Sequence, residues 1–232
     1  MCGMVFDEQT LGYTLVTVAP GEAVKQVAAI PGTQSADQSG FRINSCSARN
    51  DQAILVRTNT MWPSELWIVR LSDGKVLSRT TYANPELLSN VVASADSAFI
   101  AENSSKSVGQ LMGQTAPSTI IRRLSDRTVV ATLDPSVGVL AFSSDDSLVL
   151  AATTPWVGGQ PTQLAVIDLQ SGRTLWTYNG PHMFSSAVAQ PGGRDFALVL
   201  RKPNVDAPLI RLIIVHADGT TSDFPRNYVP TW

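Results

Sequence analysis

The sequence is poor in the residues that most directly announce a chemistry. It has two cysteines and two histidines in 232 residues. Two cysteines are too few for a disulfide framework or a thiolate zinc site, so Cys2 and Cys46 read as free thiols, one at the terminus and one in a strand. His182 and His216 have no metal-ligand spacing, and no serine sits in a nucleophile elbow, so both histidines read as structural or solvent-exposed. No apolar run approaches the roughly 18 to 20 residues that a membrane-spanning helix needs, and the N-terminus lacks the charged and apolar regions of a secretory signal. Met1-Cys2-Gly3 could mimic a lipoprotein start, but Val5-Phe6 reads as strand rather than tether. The formal net charge is −2 and the basic residues are scattered, which gives no surface for gripping a phosphate backbone. Nucleic acid is therefore not an expected partner. Lysine is scarce beside arginine; this leaves the compartment open, with an extracytoplasmic one slightly favoured.

Helical periodicity is also nearly absent, and Gly, Pro, Ser and Asp punctuate the chain too often for long helices. What is present instead is repetition. The segment Leu164 to Gly180 reads as two strands around a polar corner, Gln170-Ser171-Gly172-Arg173, with Trp176 and Tyr178 on the return. Similar corners occur at Pro20-Gly21-Glu22, Ser72-Asp73-Gly74-Lys75, Ser125-Asp126-Arg127 and Asp218-Gly219-Thr220. Gly21, Gly74, Arg127, Gly172 and Gly219 follow one another at steps of 53, 53, 45 and 47 residues. That range fits a four-stranded propeller blade. Between the corners lies a second kind of hairpin, in CSARNDQAILV, ASADSAFIA, FSSDDSLVLA and AQPGGRDFALVL, with short strands apolar on both faces. Such strands need cover on both sides, which sheets stacked face to face provide.

The chain thus reads as one all-β domain, residues 1–232, a β-propeller of four-stranded antiparallel blades. Complete copies run from Phe41 to Tyr82, Leu87 to Leu133, Val137 to Gly180 and Met183 to Phe224. Cys2 to Asp7 and Leu11 to Ile30 supply the second, third and fourth strands of another blade. Tyr228 to Trp232 is the candidate for its innermost strand, which would close a five-bladed ring; Pro230 is tolerable beside a free edge. The alternative is a fragment of a seven- or eight-bladed propeller, whose end faces would be apolar and exposed.

Val166-Ile167-Asp168, Ser171-Gly172-Arg173, Leu175-Trp176 and Gly180 resemble the repeat of quinoprotein-like propellers, in which a Trp packs between blades. Ser78 and Ala131 stand near the Trp position in the second and third repeats, and those blades look more like YVTN and WD-repeat-like propellers, where turns similar to Ser143 to Ser147 are common. The resemblance covers nearly the whole chain and implies a fold rather than one activity. The cofactor and calcium ligands of quinone-dependent dehydrogenases cannot be matched residue by residue, so no cofactor is expected.

Propellers present loops at one mouth of a central channel. The expected sites are therefore Trp62 and Pro63, in Thr58 to Ser64, and Pro155 and Trp156, in Thr153 to Gly159. Exposed tryptophans would anchor a protein or peptide, or stack on a sugar ring. The polar stretch Asn103 to Pro117 lies on the same expected face, as do Arg201 and Lys202, which could meet an acidic partner, and His182 in a connection between blades. Glu86 and Asp134 are the nearest carboxylates for a glycosidase-type hydrolase, yet both follow or precede proline in turn-forming sequence. Asp73, Asp126, Asp145 and Asp218 are assigned to turns, where Asp bonds its own backbone. The expected function is non-catalytic binding or scaffolding of a protein or peptide; a carbohydrate-binding or ligand-sensing propeller is second, and a hydrolase third.

Overall fold

The computed structural model describes residues 1–9, 12–31, 40–59, 62–83, 88–104, 118–153, 163–201 and 210–223. These residues form five antiparallel sheets and no helix, and so no helix long and apolar enough to cross a membrane. The first sheet contains β1 (Cys2–Asp7), β2 (Gly12–Thr17) and β3 (Lys25–Ile30). The second has β4 (Gly40–Ser47), β5 (Gln52–Asn59), β6 (Trp62–Arg70) and β7 (Val76–Thr81). The third has β8 (Leu88–Ala93), β9 (Phe99–Ser104), β10 (Thr119–Arg123) and β11 (Val129–Leu133). The fourth has β12 (Val137–Phe142), β13 (Leu148–Thr153), β14 (Leu164–Asp168) and β15 (Thr174–Tyr178). The fifth has β16 (Met183–Ala189), β17 (Phe196–Arg201), β18 (Ile210–Val215) and β19 (Thr221–Asp223). Within every sheet the strands pair in simple sequential order.

Burial follows position in the sheet. The second strands carry unbroken buried runs, Ala53 to Val56 and Leu148 to Ala152, because both their faces are covered. The outermost strands, such as β7 and β19, are largely exposed. Each pair of consecutive sheets shares one apolar seam. Leu15 and Ile30 meet Leu55, Trp67 and Val69 between the first and second sheets. Ile54 and Leu66 meet Val91 and Ile100 between the second and third. Ala101 and Ile121 meet Val139 and Val149 between the third and fourth, and Leu150 and Leu164 meet Leu198 and Ile213 between the fourth and fifth. Among the described residues no apolar cluster joins the fifth sheet to the first. β4, β8, β12 and β16 neighbour one another along the inner side of this arc.

The register explains the turn residues. Gly21, Gly74, Arg127, Gly172 and Gly219, the five aligned corner positions, all have φ between +61° and +86°. Asp73, Asp126, Asp145 and Asp218 each accept a bond from the backbone N–H two residues on, at 2.8 to 3.1 Å, as turn chemistry requires. Two corners also interlock with the preceding sheet. A Cβ on Gly74 would lie 2.0 Å from the Val27 carbonyl oxygen, and one on Gly219 would lie 2.5 Å from that of Leu175.

Two expectations need correction. Cys2 and Cys46 are not free: they form a disulfide that ties β1 to β4 across the first seam. The stretch Thr58 to Ser64 is mostly strand rather than long loop, since β5 continues to Asn59 and β6 begins at Trp62. The first sheet has three strands, and the slot beside β1 that an innermost strand would fill is empty among the described residues; Tyr228 to Trp232 lies outside them.

Candidate functional site

In an antiparallel sheet whose strands pair in sequence, connections from the first to the second strand and from the third to the fourth leave one end. Connections from the second to the third, and from one sheet to the next, leave the other. The first is here a turn end, the second a loop end. Trp62 and Pro63 open β6 at the loop end, opposite Asn59 and Thr58. Pro63 sits where the register shifts between Arg57 and Thr58, a bulge at which a residue without an N–H is tolerated. Arg201 closes β17 at the same end and is exposed, and His182 lies in the connection from β15 to β16, which also belongs there. Pro155, Trp156 and Lys202 lie outside the described residues, as does Glu86; the strands flanking Pro155 and Trp156 end and begin at the loop end.

The structure gives several of these residues definite partners. His182 is half-buried, with Nδ1 2.8 Å from the Tyr178 hydroxyl, which also accepts the His182 backbone N–H at 3.3 Å. Tyr178 stacks on Trp176 with ring centroids 6.2 Å apart and curls over Gly180, where any Cβ would collide with its ring. Asn103, at the start of the expected loop, is instead a buried residue of β9. Its side-chain amide donates to the Val139 carbonyl at 2.8 Å and accepts the Val139 N–H at 2.8 Å, so it pairs with β12 of the next sheet as a peptide group would. Asn44 does the same to β8, donating to Val91 O at 2.6 Å and accepting from Ala93 N at 2.7 Å. Asp134 accepts the Ser136 N–H at 2.7 Å in a turn, which is the role its sequence indicated.

Below Trp62 lies a cluster that the sequence reading missed. Glu65 is buried at 8% exposure and holds two arginines, Arg79 at 2.8 Å and Arg57 at 3.2 Å, while its other oxygen accepts the Trp67 indole N–H at 2.8 Å. Burial by itself would raise the Glu65 pKa, but the bonds from Arg79 and Trp67 and the two guanidinium charges hold it below the usual carboxylate range. Arg79 is thereby parked 5.0 Å over the Trp67 ring, whose edge meets Phe41 at 5.0 Å, and Arg57 lies 6.0 Å over Phe41. The signal was available: a lone glutamate inside the apolar run Leu66 to Val69 and its approach is costly unless cations meet it. Glu102 repeats the arrangement in the third sheet with Arg122 at 3.1 Å, Arg127 at 3.5 Å and the Tyr82 hydroxyl at 3.3 Å. Burial and the Glu102 charge push the Tyr82 hydroxyl pKa up.

At the turn end, neighbouring hairpins bond to one another. Ser45 Oγ reaches Ser94 O at 2.7 Å and Ser97 Oγ at 2.9 Å, Ser144 N donates to Gly193 O at 3.1 Å, and Arg194 pairs with Asp145 at 3.1 Å. His216 braces the fifth sheet there: Nδ1 is 2.8 Å from Asp195 Oδ2 and Nε2 is 2.7 Å from Ser222 Oγ. The order of groups is that of a general base beside a hydroxyl. However, the N–H groups of the adjacent corner, Gly219 and Thr220, are already spent on His216 O and Asp218, so they offer no donor to an oxyanion.

Comparison with solved structures agrees with this geometry. TolB from Acinetobacter baumannii superposes with a TM-score of 0.57 at 16% identity, over 96% of this chain and 51% of that one. The Cps50 (Swd1) β-propeller domain of Myceliophteria thermophila gives 0.53 at 13% identity, over 99% and 69%. KlAtg21, in complex with the coiled-coil of AgAtg16, gives 0.59 at 12%, over 98% and 71%. The fold is that of a β-propeller. The five sheets are its blades, one of them three-stranded, and the chain spans about half the length of TolB. No family model matches the sequence, and no curated protein does either.

Proposed function

We propose that this propeller is a non-catalytic binding or scaffold module that receives a protein or peptide segment at its loop end, with Trp62 and Trp156 as anchors. Support comes from the common end at which Trp62, Pro63, His182 and Arg201 stand, and from the blade of Trp62 itself, where a buried glutamate holds Arg79 over Trp67. Arg79 is half exposed and already held in place, so little of its rotamer entropy remains to be lost on meeting a partner, as at an interface hot spot. The neighbours carry the same idea: KlAtg21 was solved with a coiled-coil partner. The Cys2–Cys46 disulfide favours work in an oxidising compartment.

A photoreactive amino acid at position 61, next to Trp62, tests this reading against one at position 218, at the turn end. Partner cross-links are expected from 61 and not from 218. The double variant Trp62→Ala with Trp156→Ala should lose capture while its melting temperature stays within about 2 °C of the wild type, a shift of about 0.5 to 1 kcal/mol. Equal cross-linking from both positions would overturn the proposal, and a glycan array that responds where peptides do not would replace it with carbohydrate binding.

A further inference from the structure

The inner hairpins of the second to fifth blades each place one residue in the left-handed region at the turn: Asp51 (φ +52°), Ser97 (+63°), Asp146 (+59°) and Gly192 (+70°). Glycine would serve at every one. Two of the side chains found there instead reach back to the preceding blade. Ser97 meets Ser45, and the Asp146 carboxyl faces the Asp96 carboxyl of the third blade.

Two carboxyl groups can bond to each other only if one of them carries a proton, because an ionised carboxylate is an acceptor alone. The surroundings say which. Asp96 Oδ1 already accepts Ser94 Oγ at 3.0 Å and Ala98 N at 2.9 Å, and Arg49 of the second blade's turn lends it positive charge. Asp146 is 7% exposed, its Oδ1 is buried without a partner, and the charges that act on it, Asp96 and Asp145, are negative. Arg194 of the fifth blade, on the far side of this turn, is engaged by Asp145. An ionised Asp146 would be a buried anion facing two others, whereas a neutral one donates its proton to Asp96.

We propose that the seam between the third and fourth blades is clasped at the turn end by one proton shared between Asp146 and Asp96, and that losing this proton sets two carboxylates against each other across the seam. Burial first, then the bond to Asp96 and its charge, push the Asp146 pKa up to about 8. Burial works the other way on Asp96, but its bonds from Asp146, Ala98 and Ser94 outweigh it and hold Asp96 below the ordinary value. Asp146 therefore binds its proton more tightly in the folded chain than in the unfolded one, where its value is 3.8. Its contribution to stability is full below that value, falls as pH rises and is gone above about 8. Asp96 has the opposite sign and acts only in acid, so the window in which the clasp is read lies between about pH 5 and 8.

The test compares the wild type with Asp146→Asn, since asparagine tolerates positive φ and keeps a donor for Asp96. All other ionisable groups are the same in the two proteins, so the difference between them isolates Asp146. The wild-type melting temperature is expected to fall relative to that of the variant by several degrees between pH 5 and 9. With 13C-labelled aspartate, one carboxyl resonance should titrate near pH 8 and vanish in Asp146→Asn. If every aspartate has finished titrating by pH 6, or if the two melting curves run parallel with pH, the shared proton does not exist. Calcium chloride that stabilises the wild type at pH 9 but not Asp146→Asn would also overturn it, in favour of a cation between the two carboxylates.

Discussion

At the turn end, the connections between first and second strands span residues 48–51, 94–98, 143–147 and 190–195, four to six residues each. At the loop end, the connections between second and third strands span 60–61, 105–118, 154–163 and 202–209, from two to fourteen residues. Both ends are cut from the same strands. Length is kept from blade to blade at the end where inner hairpins bond to their neighbours, through Ser45, Ser144, Arg194 and the Asp146–Asp96 pair. A hairpin that must meet the next one at a fixed distance cannot grow, whereas a connection under no such constraint is limited only by loop-closure entropy, which rises slowly with length. Rigidity and variability are thus assigned to opposite ends of the molecule.

The largest break in that contrast should come from the disulfide. Cys2 and Cys46, 44 residues apart, fasten the first blade to the second near the turn end. Reduction, or Cys46→Ala, should cost about 4 kcal/mol by the chain-entropy relation, read as a drop in denaturant midpoint together with a steeper unfolding slope, because the unlinked unfolded chain exposes more surface. Next, Gly74→Ala should cost about 3 kcal/mol, because the added methyl meets the Val27 carbonyl as well as the left-handed backbone. Gly172→Ala has the same backbone problem in open space and should cost only about 1 kcal/mol. Equal losses at the two glycines would mean that the corners do not interlock with the preceding blade. Smallest, a six-residue Gly/Ser insertion between Gly158 and Gly159 should cost less than about 1 kcal/mol in thermal unfolding. The same insertion between Ser144 and Asp145 should cost several times more.

Much of the architecture was readable in advance because turns are local. Gly21, Gly74, Gly172 and Gly219 mark corners wherever the chain needs positive φ, and Arg127 holds the same place without being glycine because the spacing around it is kept. The pairing of Cys2 with Cys46 was not readable, since it depends on which blade faces which rather than on anything near either residue. Thr58 to Ser64 was misjudged because Pro63 looks like a strand breaker until the bulge beside it is seen. Within the candidate site, Trp62 and Arg201 follow from strand order. The Glu65 cluster required knowing that Arg57, Glu65, Trp67 and Arg79 share one face of three adjacent strands. Asp146 was hidden by its neighbour: Asp145 makes the expected exposed turn bonds, while the next aspartate turns inward.

The side-chain amides of Asn44 and Asn103 stand in for peptide groups between adjacent blades, so these two seams depend on a neutral side chain that both donates and accepts. Spontaneous hydrolysis of either amide to a carboxylate would remove the N–H that now meets the Val91 or Val139 carbonyl and put a negative oxygen in its stead. A seam held by such an amide would lose both a donor and its neutrality in one event, but the strand pairing that fixes these amides also keeps their backbone from the cyclisation that hydrolysis requires, so the interior seams outlast asparagines in freer backbone.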